Sequence, residues 1–259
     1  MSQKFHFSSA AFRSELGLHR EGNEDSGLVA PNLIAVADGM GGYAGGEIAS
    51  STVIKTLAEF IPVLLTSELD ADSRDDLFRN SLIDMDRAIN LVAQAKPELL
   101  GMGTTLTALA LASDEIKMIH VGDSRAYRIR DSKITRLSQD HTVVQELLDQ
   151  GRITEDEIGE HPQRSFLTQA LMGKEDQDPV LQVFPVSPGD IYLLCSDGLT
   201  AVVGEGEIVR AFASPIQEAV DSLIELTYRN GAPDNVTVVA VQIGTDLGEI
   251  ETKFIGAAS

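Results

Sequence analysis

Apolar runs that border on an aspartate recur along this chain, and this arrangement limits the possible folds more than any other feature. The run Leu33–Ala37 is typical of a buried strand and is followed at once by Asp38 and a glycine-rich turn. Aspartates occupy such strand edges at four positions: Asp38, Asp123, Asp197 and Asp234. A single Asp-Gly pair would indicate no more than a tight turn, but four packed carboxylates repel one another unless a cation offsets their charge. The pattern therefore predicts a shared acidic rim on the central sheets.

Strand-like and helical segments follow one another in blocks, which predicts an α+β fold. Short strands fill residues 5–37, helices about 45–69 and 75–96, a strand meander 103–136, further strands 180–195 and 236–243, and helices about 207–213 and 215–229. We expect a central β-sandwich of two mixed or antiparallel sheets flanked by pairs of α-helices, in α-β-β-α layers.

We expect a single domain over residues 1–244. Within it, the polar segment at about 142–165 is predicted to be a mobile flap. Residues 245–259 follow the last predicted strand without a clear pattern, and we interpret them as a C-terminal tail or a truncated linker.

The balance of charges excludes several classes of partner. The chain has 40 acidic and 20 basic residues, and a net charge of −20 disfavours binding to nucleic acid or to an anionic membrane. The single cysteine, Cys195, excludes an internal disulfide and is typical of a reducing compartment. We find no signal peptide and no apolar stretch of about 18 residues, so we expect a cytoplasmic protein without a membrane segment in this sequence.

The ligands available at the acidic rim favour magnesium or manganese over zinc. Carboxylates, together with a bare backbone carbonyl such as that of Gly39, are the hard oxygen ligands that these cations prefer. The sequence has no cluster of cysteine or histidine to hold zinc.

Six motifs in a fixed order make the sequence recognisable. They are Arg20-Glu21-Gly22-Asn23-Glu24-Asp25, Asp38-Gly39-Met40-Gly41-Gly42, Gly101-Met102-Gly103-Thr104-Thr105, Val121-Gly122-Asp123-Ser124-Arg125, Ser196-Asp197-Gly198-Leu199 and Pro233-Asp234-Asn235-Val236-Thr237. From about residue 8 to 243 the chain resembles the bacterial PPM-type metal-dependent serine/threonine protein phosphatases (protein phosphatase 2C family). The resemblance implies a β-sandwich flanked by helices. It also implies Mn²⁺- or Mg²⁺-dependent hydrolysis of phosphoserine and phosphothreonine in proteins, by in-line attack of a metal-bridging hydroxide.

The resemblance further implies a metal centre built from the rim. Asp38 would bridge two metal ions. Asp197 and Asp234 would complete the coordination of the first ion, and the Gly39 carbonyl would complete that of the second. Asp123, with Asp197, resembles the ligands of a weaker third metal ion in bacterial members, and Ser165 in the flap is a candidate further ligand.

Three residues of the first motif resemble supporting groups in the family. Glu24 and Asp25 resemble the carboxylates that hold metal-bound waters, which fix the geometry of the ligands. Arg20 resembles the phosphate-binding arginine, whose planar guanidinium can clamp two phosphate oxygens.

One departure from the family affects the expected chemistry. Many members carry a histidine, the proposed general acid, at the position of Met40 or, in bacterial members, of Tyr43. Its absence leaves protonation of the leaving group to a metal-bound water, to Tyr43 or to another group. General acids contribute about 10²–10⁴-fold, so slow turnover on poor leaving groups is expected. His141 resembles a residue near the flap of bacterial members, and either a role in the site or a contact at a helix start fits it.

Three functions stay open from the sequence. The first is an active phosphatase, predicted to be a monomer, with phosphoproteins as substrates and a cognate serine/threonine kinase as a partner. The second is a catalytically weakened, phosphatase-like regulatory or binding domain, and the third an acidic cation-binding protein. The intact metal aspartates favour the first, and Arg20 disfavours the third because a cation store has no use for a phosphate clamp.

Overall fold

Two antiparallel β-sheets packed face to face form the centre of the structure, a computed structural model that describes residues 4–42, 45–66, 69–112 and 114–259. The strands are β1 (His6–Glu15), β2 (Asp25–Val29), β3 (Leu33–Met40), β4 (Gly103–Thr104), β5 (Leu106–Ala112), β6 (Glu115–Val121), β7 (Arg125–Arg130), β8 (Lys133–Arg136), β9 (Gln182–Pro185), β10 (Ile191–Cys195), β11 (Val236–Gly244) and β12 (Lys253–Gly256). The helices are α1 (Gly45–Ala58), α2 (Ile61–Leu65), α3 (Ala71–Ala95), α4 (Val143–Asp149), α5 (Glu155–Ile158), α6 (Asp197–Thr200), α7 (Glu205–Ala211) and α8 (Ile216–Arg229).

The two sheets differ in size but share one type of pairing. The first has the strand order β1-β11-β10-β7-β8, and the second has the order β12-β2-β3-β5-β6-β9, with the short β4 paired to β3. All of these pairs are antiparallel. The predicted pair of sheets is confirmed, and the choice that the sequence left between mixed and antiparallel pairing is resolved.

The alternation of side chains along β3 divides its residues between two apolar cores. Ile34 and Val36 lie in the core between the sheets, whereas Leu33 and Ala35 face the helices that cover the second sheet. Because successive side chains of a strand point to opposite faces, Asp38 continues the row that faces the space between the sheets. The strand thus delivers a carboxylate to the end of the sandwich.

Helices cover both outer faces and complete the predicted α-β-β-α layers. α1 and α3 cover the second sheet, with Val53 and Met85 in its outer core. α7 and α8 cover the first sheet through Ile208 and Leu223. Burial of side chains of this size stabilises a fold by about 1.5–3 kcal/mol each. In the ranges given above, no helix combines the length and the apolar character needed to cross a bilayer.

The start of α3 differs from the prediction. The helix begins four residues earlier than the expected residue 75, and its N-cap is Asp70, whose carboxylate accepts a hydrogen bond from Ser73 N at 2.7 Å. Asp72 and Ser73, whose side chains would also suit a cap before residue 75, lie inside the helix. Several acidic and hydroxyl residues follow one another here, and each type is a good cap, so the sequence does not distinguish among them.

Residues 253–256 correct the prediction that the C-terminal segment is only a tail or linker. They form β12, which pairs antiparallel with β2 at the edge of the second sheet. Ile255 enters the core between the sheets, and Ala257 N donates a hydrogen bond to Asp25 O at 2.8 Å. A four-residue strand has too few alternating positions to be read from sequence, and it is the open edge of β2 that orders it.

The segment predicted to be a flap contains local structure of its own. It holds α4, capped by Thr142, and α5, whose capping box joins Thr154 to Glu157. Thr142 also pairs with Leu167, so the beginning of the segment is tied to the chain that follows it. Its mobility stays a prediction.

Candidate metal centre

The four rim aspartates reach one end of the sandwich by different routes. Asp38 lies within β3, and Asp123 lies in the turn that joins β6 to β7. Asp197 opens the short helix α6 directly after β10, whereas Asp234 precedes β11 in a loop. All four line a single cleft of about 1070 Å³. The cleft also brings in Arg20, Glu24, Gly39 and Ser165, so the structure places these sequence-predicted residues together.

Asp25 is the exception among the predicted site residues, because it lies beneath the cleft and does not line it. Its side chain is 1% exposed, and it accepts a hydrogen bond from Ser196 Oγ at 2.7 Å. Its second oxygen, Oδ1, is buried without a hydrogen-bond partner among the described residues. A buried carboxylate oxygen without a donor is costly, which makes this position suited to a cation or to water held by one.

Two threonines hold the backbone of Asp38 on both sides. Asp38 N donates to Thr105 Oγ1 at 2.9 Å, and Asp38 O accepts from Thr105 N and from Thr104 Oγ1, each at 2.9 Å. Thr105 Oγ1 also meets Ser124 Oγ at 2.8 Å, next to Asp123. The backbone of Asp38 and the turn that carries Asp123 are therefore joined by one hydrogen-bond network.

The strand β3 does not end at Asp38, as the sequence pattern had predicted, but continues to Met40. Gly39 pairs with Thr104 of β4, so the glycine-rich motif begins as strand and turns only at Gly41, where φ is +145°. A Cβ at Gly39 would lie 2.1 Å from Gly46 O at the start of α1. Glycine is thus required by the close packing of β3 on α1, and it leaves the Gly39 backbone on the cleft.

Burial and mutual repulsion raise the pKa of every rim carboxyl for which a shift is resolved. Burial, followed by the charges of Asp25 and Asp197, raises the pKa of Asp38 well above its usual range. Burial, followed by the charge of Asp234, raises the pKa of Asp197. A hydrogen bond with Asp38 opposes this shift by lowering the pKa. Burial also raises the pKa of Asp123 to about 7. Carboxyls that cannot all ionise side by side are a favourable environment for divalent cations.

The donor set fits a hard divalent cation that keeps part of its water. The acidic side chains on the cleft, together with the backbone of Gly39, offer the oxygen ligands that magnesium and manganese prefer. Among the described residues, no three acidic, histidine or cysteine side chains converge closely enough to enclose one ion by themselves. An ion bound there would therefore take part of its coordination from water, which is usual for Mg²⁺.

Arg20 contributes a positively charged side chain to this acidic cleft. Its Nη2 donates to Asp234 Oδ2 at 2.5 Å, and its side chain is 48% exposed. The hydrogen bond to Asp234 raises the pKa of Arg20 above its already high value. The guanidinium has further N–H groups beyond the one that Asp234 takes, and these suit a bidentate phosphate contact.

Asn235 supports the loop beside the cleft, a role that the sequence interpretation missed although this residue stands in one of the quoted motifs. Its Nδ2 donates to Leu16 O at 2.8 Å and to Gly22 O at 3.0 Å, and its Oδ1 accepts from Glu24 N at 2.9 Å. These bonds fix the loop that carries Arg20. The neighbouring Asp234 was the only sequence signal, because an asparagine after an aspartate reads equally well as a turn.

Two histidines lie on the cleft near Asp123. His141 Nδ1 accepts from Gly122 N at 3.1 Å, and Thr168 N donates to His141 O at 2.9 Å. Burial lowers the pKa of His120 to about 4 and also lowers the pKa of His141, so both rings are neutral at pH 7. His141 therefore lies in the site as well as next to the cap of α4. Met40 also lines the cleft, whereas Tyr43 lies outside the described residues.

The sequence and the fold of this chain are similar to those of known proteins. The family model for Protein phosphatase 2C matches residues 23–230. Serine/threonine protein phosphatase PstP of Mycobacterium tuberculosis is 44% identical over 255 residues, which are 96% of this chain, but the chain spans only about half (48%) of that relative. Serine/threonine phosphatase stp of Listeria monocytogenes is 35% identical over 242 residues, 90% of this chain and 95% of stp.

Among solved structures, the catalytic domain of PstP in complex with 2 manganese ions matches this fold with a TM-score of 0.83. It is 40% identical in sequence, and the match covers 93% of this chain and 99% of that chain. The likeness therefore includes nearly all of the sandwich and its helices.

Proposed function

The chain belongs to the protein phosphatase 2C family, and from this premise we propose that it hydrolyses phosphoserine and phosphothreonine in proteins with Mn²⁺ or Mg²⁺ as its cofactor. The observation that carries the proposal is the contact between Arg20 and Asp234 at 2.5 Å. The arginine for which we propose phosphate binding thus lies directly against a carboxylate suited to a metal ion. A cation store would not need that arrangement, whereas a phosphatase needs both groups within reach of one phosphoryl group.

The roles of the acidic residues follow from their positions on the cleft. Asp38, Asp197, Asp234 and the Gly39 carbonyl would hold two divalent cations, and Asp123 with Asp197, and with Ser165 as a candidate, a third. Bound in pairs, such cations lower the pKa of water from about 15.7 towards 7 and so supply the nucleophile at neutral pH. Glu24 on the cleft and Asp25 beneath it would orient the waters that complete the coordination.

The residue that binds the phosphoryl group in this proposal is Arg20. Its guanidinium binds the phosphoryl oxygens and stabilises the negative charge that they share in the transition state. Asp234 keeps the guanidinium at the metal end of the cleft, and the loop held by Asn235 sets its direction. No residue of the described cleft has to form a covalent bond to phosphorus in this scheme.

Protonation of the leaving oxygen must differ from that in family members that carry a histidine at the position of Met40 or Tyr43. The thioether of Met40 has no proton to give, and both histidines on the cleft are neutral at pH 7. We therefore propose that turnover depends strongly on the leaving group. A Tyr43→His variant then gains more on a phosphothreonine peptide than on p-nitrophenyl phosphate, whose leaving group hardly needs a proton.

The partners implied by this activity are phosphoproteins and the serine/threonine kinases that produce them. Because the chain spans about half of PstP, the substrates and partners of a whole protein of that length belong to the proposal. A monomeric state and a cytoplasmic location stay predictions from the sequence.

Phosphate release from a phosphothreonine peptide tests the proposal. Metal-stripped protein is assayed with and without added Mn²⁺, beside an Asp197→Asn variant. Release that requires Mn²⁺ and disappears in the variant supports the phosphatase. No release with either Mn²⁺ or Mg²⁺, from protein shown to be folded, would instead favour the phosphatase-like regulatory domain.

A further inference from the structure

Residues 170–178 form one wall of the cleft, which we call the cleft wall. The side chains and backbone that face the cleft belong to Ala170, Met172, Lys174, Asp176, Gln177 and Asp178. The cleft of about 1070 Å³ is larger than a phosphate group needs and matches the upper end of ligand sites, about 300–1,000 Å³. The space beside the wall is therefore available to the parts of a substrate that surround its phosphate.

The beginning of the cleft wall is attached to the metal end of the cleft. Leu171 and Thr104 exchange two backbone hydrogen bonds, of 2.9 and 3.0 Å. Thr104 in turn donates its hydroxyl to Asp38 O. The position of the wall is thus tied to the strand that carries the central metal ligand.

A buried carboxylate on α3 holds the rest of the wall. Asp86 is fully buried, and its Oδ1 accepts from Met172 N at 2.9 Å and from Gly173 N at 2.8 Å. Its Oδ2 accepts from Glu175 N at 2.6 Å. A carboxylate is costly to bury unless donors surround it, and here three backbone N–H groups of a single loop do so.

The fit between the wall and α3 is close. Asn90, one helical turn after Asp86, donates its Nδ2 to Gly173 O at 2.6 Å. Gly173 has φ +71°, and a Cβ there would lie 2.7 Å from Asn90 N. The loop therefore lies directly on the helix backbone, and Asp86 and Asn90 determine where its other side meets the cleft.

We propose that Asp86 is a positioning residue for polypeptide substrates: it holds the cleft wall so that Lys174 and Gln177 contact the peptide chain beside the phosphorylated residue. This role rests on the proposed function and deepens it. Small phosphate monoesters that reach only the metal end do not touch the wall. Lys174 is exposed and has no hydrogen-bond or ion-pair partner in the described part of the chain, so it is available to a substrate.

The variant Asp86→Asn tests this role because it keeps the shape of the side chain. Asparagine has one acceptor oxygen, so if that oxygen stays at Oδ1, its amide donor faces Glu175 N–H and the second half of the wall is released. We expect KM for a phosphothreonine peptide to rise about tenfold, with kcat/KM for p-nitrophenyl phosphate changed by less than about twofold. Asp76→Asn, the same change at an exposed position of α3 whose ion pair is with Arg79 and not with the wall, is the matched control and leaves both substrates unaffected.

Each outcome bears on the inference. An equal loss on both substrates, or no change on the peptide, would overturn the positioning role while the proposed function stands. Wild-type protein inactive on both substrates would overturn the proposed function, and the positioning role with it.

If Asp86→Asn does not fold, as judged by circular dichroism, the double variant Lys174→Ala/Gln177→Ala is assayed on both substrates instead. A rise of about threefold in KM for the peptide alone supports the wall contact, and an unchanged KM contradicts it.

Discussion

The carboxylate of Asp25 in one sheet accepts a hydrogen bond from the hydroxyl of Ser196, which directly follows β10 of the other sheet, at 2.7 Å and out of contact with solvent. Ser196 Oγ accepts in turn from Thr237 N at 2.9 Å. Because Ser196 directly precedes Asp197, this contact joins the two sheets at the point where the proposed metal ligands meet. Several of the expected properties of the protein depend on it.

Replacement of Ser196 with alanine should weaken both the fold and the site. Ser196→Ala removes the donor to Asp25 and the acceptor for Thr237 N, and buried polar groups left without partners cost about 1–3 kcal/mol. We expect a drop of that size in the free energy of unfolding, measured by urea denaturation, and a fall of about tenfold in kcat as Asp197 shifts. Ser214→Ala, at an exposed serine, is the control and should match the wild type. A Ser196→Ala protein as stable and active as the wild type would show that the link between the sheets is unimportant.

The metal-free protein should lose stability as the pH rises, which is unusual for a chain rich in carboxylates. Burial raises the pKa of Asp25 and that of Asp123 to about 7, from an ordinary value of 3.8. A carboxyl with a higher pKa in the folded chain takes up a proton on folding. Its contribution to stability is therefore complete below about pH 4 and is lost as the pH rises through about 7.

Melting temperatures of metal-stripped protein, measured from about pH 5 to about pH 8, check this expectation. The melting temperature should fall over that range, and Asp25→Asn should make the fall smaller because asparagine does not titrate. Added Mn²⁺ should restore stability at the upper end of the range more than at the lower end, since cations replace the protons. A melting temperature that rises with pH in metal-free protein, and equally so in Asp25→Asn, would contradict the account.

Asn235→Ala should release the loop that carries Arg20. It leaves Leu16 O, Gly22 O and Glu24 N without their side-chain partner, at a cost of about 1–3 kcal/mol. We expect KM to rise for both p-nitrophenyl phosphate and a phosphopeptide, because the displaced guanidinium is the group that we propose binds the phosphate of either substrate. Asn230→Ala, which removes a comparable bond to Val202 O on another part of the surface, is the control. Equal kinetics in the two variants would remove Asn235 from the site.

Asp123→Asn should change the response to metal concentration rather than abolish activity. Asp123 lies in the β6–β7 turn and is not among the ligands proposed for the main metal pair, which are Asp38, Asp197, Asp234 and the Gly39 carbonyl. We expect the Mn²⁺ concentration for half-maximal phosphate release to shift, with measurable turnover retained. Asp131→Asn, in the turn between β7 and β8, is the matched control. Complete inactivity of Asp123→Asn at saturating Mn²⁺ would place Asp123 among the essential ligands instead.

The sequence predicted the layers of the fold and the meeting of the aspartates because both depend on local patterns. The alternation in β3 sorts Ile34 and Val36 from Leu33 and Ala35, and the same alternation directs Asp38 to the space between the sheets. Such signals are periodic and lie within a few residues of the side chain that they orient.

Features that depend on distant partners were not predictable in the same way. Residues 253–256 form a strand only because β2 offers an open edge more than 220 residues earlier in the chain. β3 extends beyond Asp38 because Thr104 pairs with Gly39. The contacts of Asn235 and Asp86 go to backbone groups far along the sequence, and no spacing rule indicates such partners.

We propose that Asp38 would be shared between two metal ions, and an Asp38→Asn variant tests this proposal. Asparagine preserves the shape and the backbone contacts to Thr104 and Thr105 but removes the charge that bridging requires. Mn²⁺ bound per chain is measured by isothermal titration calorimetry, beside Mn²⁺-dependent phosphate release from a phosphothreonine peptide. We expect wild-type protein to bind at least two ions and to release phosphate, and the variant to lose tight binding of the pair together with its activity. Full activity and unchanged Mn²⁺ binding in folded Asp38→Asn protein would contradict it.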